Sequence, residues 1–170
     1  MKEQITEAAA RVLMLDGLQR WSVDRVAAEA GCAKGLVAYH HGSKKSLLAA
    51  VAVRLRVERQ ARRLAALQAS GAAALDRLWE TLVEEVRTGR WSASVALSVE
   101  PGVETPGDSA EELLALGAGI SSALDIPALP AEEARLACAA LDGFQTALQA
   151  GAPEAPMREA YHRLWLALLP

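Results

Sequence analysis

Apolar positions recur with helical spacing along almost the whole chain, and no alternating strand of useful length interrupts them. Ile5, Ala8, Ala9, Val12 and Leu13 share one side of a helix running from about Lys2 to Leu15. Asp16-Gly17 ends it, glycine being free to turn left-handed. Ser22 is placed to N-cap a short helix from Val23 to Ala30, which Gly31 stops. A third helix begins at Ala33 or Lys34 and reaches about His40, and Gly42-Ser43 then resets the chain. From Lys44 to Ser70 no glycine or proline occurs, so a fourth helix there would extend about 40 Å. Its apolar stripe is Leu47, Leu48, Val51, Leu55, Leu64 and Leu67. Beyond Ser70-Gly71 the pattern predicts helices over 72–88, 91–99, 109–124, 131–150 and 156–168. Proline- and glycine-bearing loops at 101–107, 126–130 and 151–153 separate the later ones. The fold class is all-α, in two parts.

The stretch from Val23 to about His40 reads as two short helices joined by a tight turn. A steep crossing needs a small residue facing the partner helix and a glycine in the turn, and Ala27 and Gly31 supply both. Val26, Ala30, Cys32 and Val37 supply apolar contacts to lock the pair against the first helix. This is the helix-turn-helix pattern, although any helical hairpin wants small residues at its crossing. Its flanks carry Lys34, Tyr39, His40, Lys44 and Lys45. Ser22 and Ser43 each open a helix there, directing backbone N–H groups and a positive dipole end at an anion.

Charge changes the picture in the same direction. Residues 1–63 carry twelve Lys and Arg against six Asp and Glu, a balance of +6, while the remainder, six against fifteen, carries −9. The net −3 of the whole chain therefore hides a basic N-terminal part suited to a polyanion and an acidic C-terminal part. Composition excludes other classes. Half the residues are hydrophobic (52%), enough for packed cores. No secretory signal is visible, and the longest apolar stretch, Leu113 to Leu124, is too short and interrupted to cross a bilayer. Cys32 and Cys138 match no metal spacing and read as reduced thiols of a cytoplasmic protein. Adjacent histidines diverge by about 100° on a helix, which disfavours a Cys32/His40/His41 metal site. No nucleophile–base set or glycine-rich phosphate loop appears, so neither an enzyme nor a cofactor is expected.

In order and without a gap, residues 5–50 show Ile5, Ala8 and Ala9, then Gly17-Leu18, then Ser22-Val23 with Val26-Ala27. Ala30-Gly31-Cys32-Ala33-Lys34-Gly35 and Tyr39-His40-His41-Gly42-Ser43-Lys44 follow. This run resembles the DNA-binding domain of the TetR family of bacterial transcriptional regulators. Three positions depart from the family pattern. Cys32-Ala33 stands where Val-Ser is usual, Ala38 where many relatives have Tyr, and His41 where a Phe packs under the corner after the third helix. His41 either fills that slot as a neutral, hydrogen-bonded ring or leaves it less well packed.

The resemblance implies an N-terminal three-helix helix-turn-helix DNA-binding domain over residues 1–45. A long helix joins it to a helical effector-binding and dimerisation domain over 46–170. It implies phosphate contacts from Ser22, Lys34, Tyr39, His40 and Lys44, with Ser43 at the same helix start, and places Arg25, Ala33, Gly35 and Leu36 near base edges. Tyr39 could instead pack the corner, His40 could be a solvated helix end, and Lys45 faces either solvent or phosphate. In the C-terminal part, Trp79, Val83, Val86, Trp91, Leu97, Leu113, Ile120 and Phe144 are candidate walls of a ligand pocket, or ordinary core. Leu136, Ala140, Leu148, Tyr161, Trp165 and Leu168 are candidates for a dimer interface, against intrachain core as the alternative. The implied partners are a double-stranded DNA operator, a second copy of the chain, and a small apolar, neutral or cationic effector, with no membrane. The implied function is a ligand-responsive regulator, most simply a repressor that a small molecule releases from a pseudo-palindromic operator. The rival is a helical adaptor whose basic N-terminal face binds an acidic protein; a steep salt dependence separates the two.

Overall fold

A computed structural model describes residues 1–105, 107 and 109–168, the side chain of Leu168 excepted. Among them are nine helices: α1 (Lys2–Arg20), α2 (Val23–Glu29), α3 (Lys34–His41), α4 (Lys44–Ala66), α5 (Ala72–Arg87), α6 (Arg90–Ser98), α7 (Ala110–Leu124), α8 (Ala131–Gln149) and α9 (Glu154–Leu168). None of the described helices is long and apolar enough to cross a membrane. The local signals explain most boundaries. Gly17 leaves helical conformation inside α1. The Ser22 side chain accepts from the Arg25 N–H at 3.3 Å. Ser109 and Glu112 cap α7 reciprocally, at 2.8 and 3.2 Å.

Three boundaries differ by two residues or more from the pattern-based expectation. α1 continues past the non-helical Gly17 to Arg20 rather than ending at Leu15. α4 stops at Ala66 rather than Ser70, because Leu67 and Gln68 turn their N–H groups onto Arg63 and Ala65 in a closing turn. α9 starts two residues earlier than expected, at Glu154, with Pro156 inside its first turn. Proline is tolerated there because the first N–H groups of a helix have no intrahelical acceptor to lose.

The chain divides into two compact units, and neither is a single continuous segment. The first comprises Met1–Glu58 and Thr88–Gly107, the second Arg59–Arg87 and Asp108–Pro170. The first core joins Ile5, Ala9 and Leu13 of α1 to Val26, Val37, Leu47, Leu48 and Val51, and it also takes in Ala93 and Leu97 of α6. α6 lies against α1, and Gly89 permits the approach. Its φ of +74° suits glycine, and a Cβ there would stand 2.5 Å from the Met14 carbonyl oxygen. Trp21 fastens the same core, donating from Nε1 to the Ala9 carbonyl at 3.0 Å. In the second unit, Leu78, Trp79, Leu82, Leu116, Ile120, Leu141, Tyr161 and Trp165 form a separate core.

Candidate nucleic-acid interface

α2 and α3 are joined by a turn that uses Gly31 at φ +62°. The Cys32 N–H donates to the Ala27 carbonyl at 3.0 Å, which holds the turn shut. Val26 and Ala27 are buried, so one side of α2 is committed to the core. On α3 the buried side consists of Val37 and His41. The other side, with Lys34, Gly35, Leu36, Ala38 and Tyr39, is open to solvent. A short helix with one anchored side and one side of small, cationic and aromatic residues has the geometry to enter a groove.

The flanks of α3 are helix starts. Ser22 caps α2, and Ser43 caps α4 by accepting from the Ser46 N–H at 3.1 Å. Lys44 stands at the first position of α4 with its Nζ 5.5 Å from the Trp21 ring centre, a cation–π placement that steadies the ammonium. Tyr39 is 81% exposed, so it is not packing under the corner. Its ring meets His40 edge-on at 5.1 Å. Ser22, Arg25, Ala33, Lys34, Gly35, Leu36, Tyr39, His40, Ser43 and Lys44, the residues expected to contact DNA, are all exposed or half-buried. Arg25 has a partner within the chain: its Nη2 lies 2.6 Å from Asp16 of α1. Lys45 lies beside Gly102, in the loop after α6.

His41 fills the corner as a buried ring. Its Nε2 sits 3.4 Å from Thr6 Oγ1 and 3.4 Å from the Lys2 carbonyl, both on α1. Burial pushes the imidazole below its ordinary value, Lys2 and His40 push the same way, and the Lys2 carbonyl opposes them. A neutral, hydrogen-bonded histidine thus ties the end of α3 to the start of α1.

Three residues that sequence pattern did not single out belong to this face or support it: Trp21, Asp16 and Asp24. Trp21 was detectable only as a large apolar residue just before the Ser22 cap. Asp16 and Asp24 carry no local signal, because their partners Arg25 and Lys34 are nine and ten residues away.

The second unit rearranges the remaining candidates. Trp79, Val83, Leu113 and Ile120 are buried in its core with Phe144 packed against them, and Val86 is half-buried. Trp91 and Leu97 instead belong to the first unit, because α6 turns this side toward α1. Of the residues expected at a dimer interface, Leu136 is exposed and Ala140 and Leu148 are half-buried. Tyr161 and Trp165 are corrected to intrachain core. Tyr161 donates from its hydroxyl to the Leu75 carbonyl at 2.8 Å, and its ring meets Trp79, Phe144 and Trp165 at 5.1, 5.8 and 5.8 Å. Helical spacing alone does not distinguish a side buried by the same chain from one buried by a partner. The side chain of Leu168 lies outside the described residues.

A buried polar network lies in the same unit. Arg63, 1% exposed, donates from Nη2 to Asp142 at 2.7 Å and to Gln145 Oε1 at 2.9 Å. Gln145 donates onward to Glu85 at 2.8 Å. Burial penalises the Arg63 charge, but Asp142 more than offsets this, and the guanidinium titrates above its usual value. Asp142 and Gln145 are thus engaged with Arg63.

Comparison with known proteins agrees with this geometry. The family described as bacterial regulatory proteins, tetR family, matches residues 5–51, from the first turn of α1 into α4. No curated protein matches the chain. Among solved structures, the multidrug binding protein EbrR complexed with imidazole is 29% identical, covering 99% of this chain and 89% of its own, with a TM-score of 0.65. The same protein complexed with ethidium aligns at 25% identity over 99% and 98%, with a TM-score of 0.68. A TetR-family transcriptional regulator from Streptomyces coelicolor, 20% identical over 98% and 96% with a TM-score of 0.66, shares the fold. With the helix-turn-helix open on one side and its flanking helix starts in place, residues 5–51 match the tetR family of bacterial regulatory proteins, and the chain as a whole is similar to EbrR and shares the fold of a TetR-family regulator.

Proposed function

We propose that this regulator binds a pseudo-palindromic operator as a homodimer, and that it is a repressor released by a small molecule. The observation that carries the reading is the open side of α3, flanked by the capped starts of α2 and α4. In this reading, Ser22, Tyr39, His40, Ser43 and Lys44 hold the phosphate backbone, while Ala33, Gly35 and Leu36 are small or apolar enough to lie against base edges. Two copies of α3 would sit about 34–36 Å apart to meet successive major grooves. Residues 1–45 would read DNA, and residues 46–170 would take the effector and the second copy. Leu136, with Ala140 and Leu148 on the same helix, offers α8 as the surface for that copy.

The effector reading draws on EbrR, whose structures carry imidazole and ethidium. Here Trp79, Phe144 and Tyr161 bring aromatic rings together in the second unit. That chemistry suits a flat apolar, neutral or cationic molecule. Coupling of about 1–3 kcal/mol between two such sites is typical, and changes operator affinity by roughly 5–150-fold.

The test is selection of bound duplexes from a random pool, followed by titration of the best duplex against Lys44→Ala and Tyr39→Ala, with and without ethidium. An inverted repeat, weakened binding by both variants, and release by ethidium are the expected results. Recovery of no preferred duplex at low salt would overturn operator binding and leave a protein-binding adaptor as the better reading. An operator that ethidium fails to release would overturn only the effector class.

A further inference from the structure

Asp24 puts a carboxylate beside Lys34 on the exposed side of the helix-turn-helix. It lies in the first turn of α2 and reaches across the turn to the first residue of α3. Lys34 Nζ is 2.9 Å from each of the two Asp24 oxygens. The two side chains are 70% and 63% exposed, so the pair stands in solvent and adds little to the stability of the fold. Against a phosphate backbone the arrangement is counterproductive. The carboxylate repels phosphate and occupies the ammonium that would bind it.

Against a base pair it is complementary. In the major groove guanine presents two acceptors, O6 and N7, and its paired cytosine presents the N4 amino donor beside them. An ammonium with a hydrogen left over and a carboxylate with lone pairs left over form the matching donor and acceptor. We propose that Asp24 and Lys34 act together as a base-reading pair that selects a G·C base pair in each half-site, and that Asp24 at the same time weakens binding to DNA lacking it. This moves Lys34 from the backbone to the base edge, and it rests on the operator-binding reading above.

The experiment compares the full chain with Asp24→Ala, Lys34→Ala and the double variant, using a random duplex pool and the best duplex that the unaltered protein selects from it. Thermal melts confirm that each variant is folded. Asp24→Ala is expected to bind the unselected pool more tightly, with a salt slope steeper by about 0.9 as the freed lysine neutralises a phosphate. It should also lose its preference at one G·C position per half-site by roughly tenfold. Lys34→Ala should lose the same preference without tightening on the pool, and the double variant should discriminate no worse than Lys34→Ala. If Asp24→Ala shifts affinity equally for every duplex and keeps the selected sequence, the base-reading pair is overturned while operator binding stands. If the unaltered protein selects no duplex, both readings fail together.

Discussion

The two units of this chain use charge in opposite ways. The first buries alanine, valine and leucine with Trp21, and keeps Lys34 and Lys44 at its surface. The second buries Arg63, Glu85 and Gln145 among its aromatic residues. A charge in water can be recruited by a polyanion at little cost to the fold. A charge in a core has already given up its hydration, and its partners are what make that tolerable. Charged side chains in the first unit are therefore available for binding, while those in the second hold helices in register. Substitutions of the two kinds should separate cleanly into loss of affinity and loss of fold.

The largest expected effect tests the second half of that contrast. Arg63→Ala leaves Asp142 and Gln145 without their donor and opens a cavity where α4, α5 and α8 contribute to one network. Removing one partner of a buried ion pair destabilises by about 3–5 kcal/mol. Chemical denaturation should show that loss, and a change below about 1 kcal/mol would mean that water replaces the guanidinium and the network is not structural.

Next comes the seat of α6 on α1. Gly89→Ala forces an L-residue to φ +74° and drives its Cβ onto the Met14 carbonyl oxygen. The conformational part alone costs about 1–2 kcal/mol, and the contact with backbone adds to it. Hydrogen exchange of α6 should speed up in this variant before that of α3 does. Equal acceleration in both would show that the first unit opens as a single body.

How much of this was legible in the sequence depends on how far apart the partners lie. Ser22, Gly31, Gly42 and Ser43 lie close together in sequence, so spacing outlined the fold of this segment, while the residues expected on its open face came from the resemblance to the TetR family. The Arg63 network joins positions 63, 85, 142 and 145, and nothing local connects them. Tyr161 and Trp165 fit the helical pattern of an interface and that of a core equally well, and only the position of Trp79 decides between them. Asp24 was visible as a charge but not as the partner of Lys34. Its contact is made by a turn of the backbone that a linear pattern does not encode.

His41 lies between the two kinds of charge, a titratable group in the first unit that is buried. The fold holds it neutral, so the unfolded chain binds more protons once pH falls below the ordinary histidine value of 6.5. Stability from this residue is complete above that value and declines as pH falls through the lowered folded value. Denaturation of His41→Phe, which restores an apolar ring to the corner, should lack this acid-side decline. An unchanged pH profile would assign the decline to another group.

The smallest effect on stability should accompany a large effect on affinity, and Lys44→Ala is the sharpest test of it. The ammonium is exposed, and what it offers the fold is a cation–π placement over Trp21 at 5.5 Å. Such a contact at an exposed site contributes about 0.5–1 kcal/mol, so the melt should move by only a few degrees. On DNA the same substitution removes a cation from the start of α4, where the capped N-terminus already favours phosphate. The salt slope should fall by about 0.9, and affinity should drop for selected and unselected duplexes alike, because phosphate contacts carry no sequence preference. Lys44→Arg should recover most of the loss. If Lys44→Ala instead destabilises the fold as much as it weakens DNA binding, then Trp21 and Lys44 are part of the first unit's core, and the contrast between an exposed working charge and a buried structural one does not hold there.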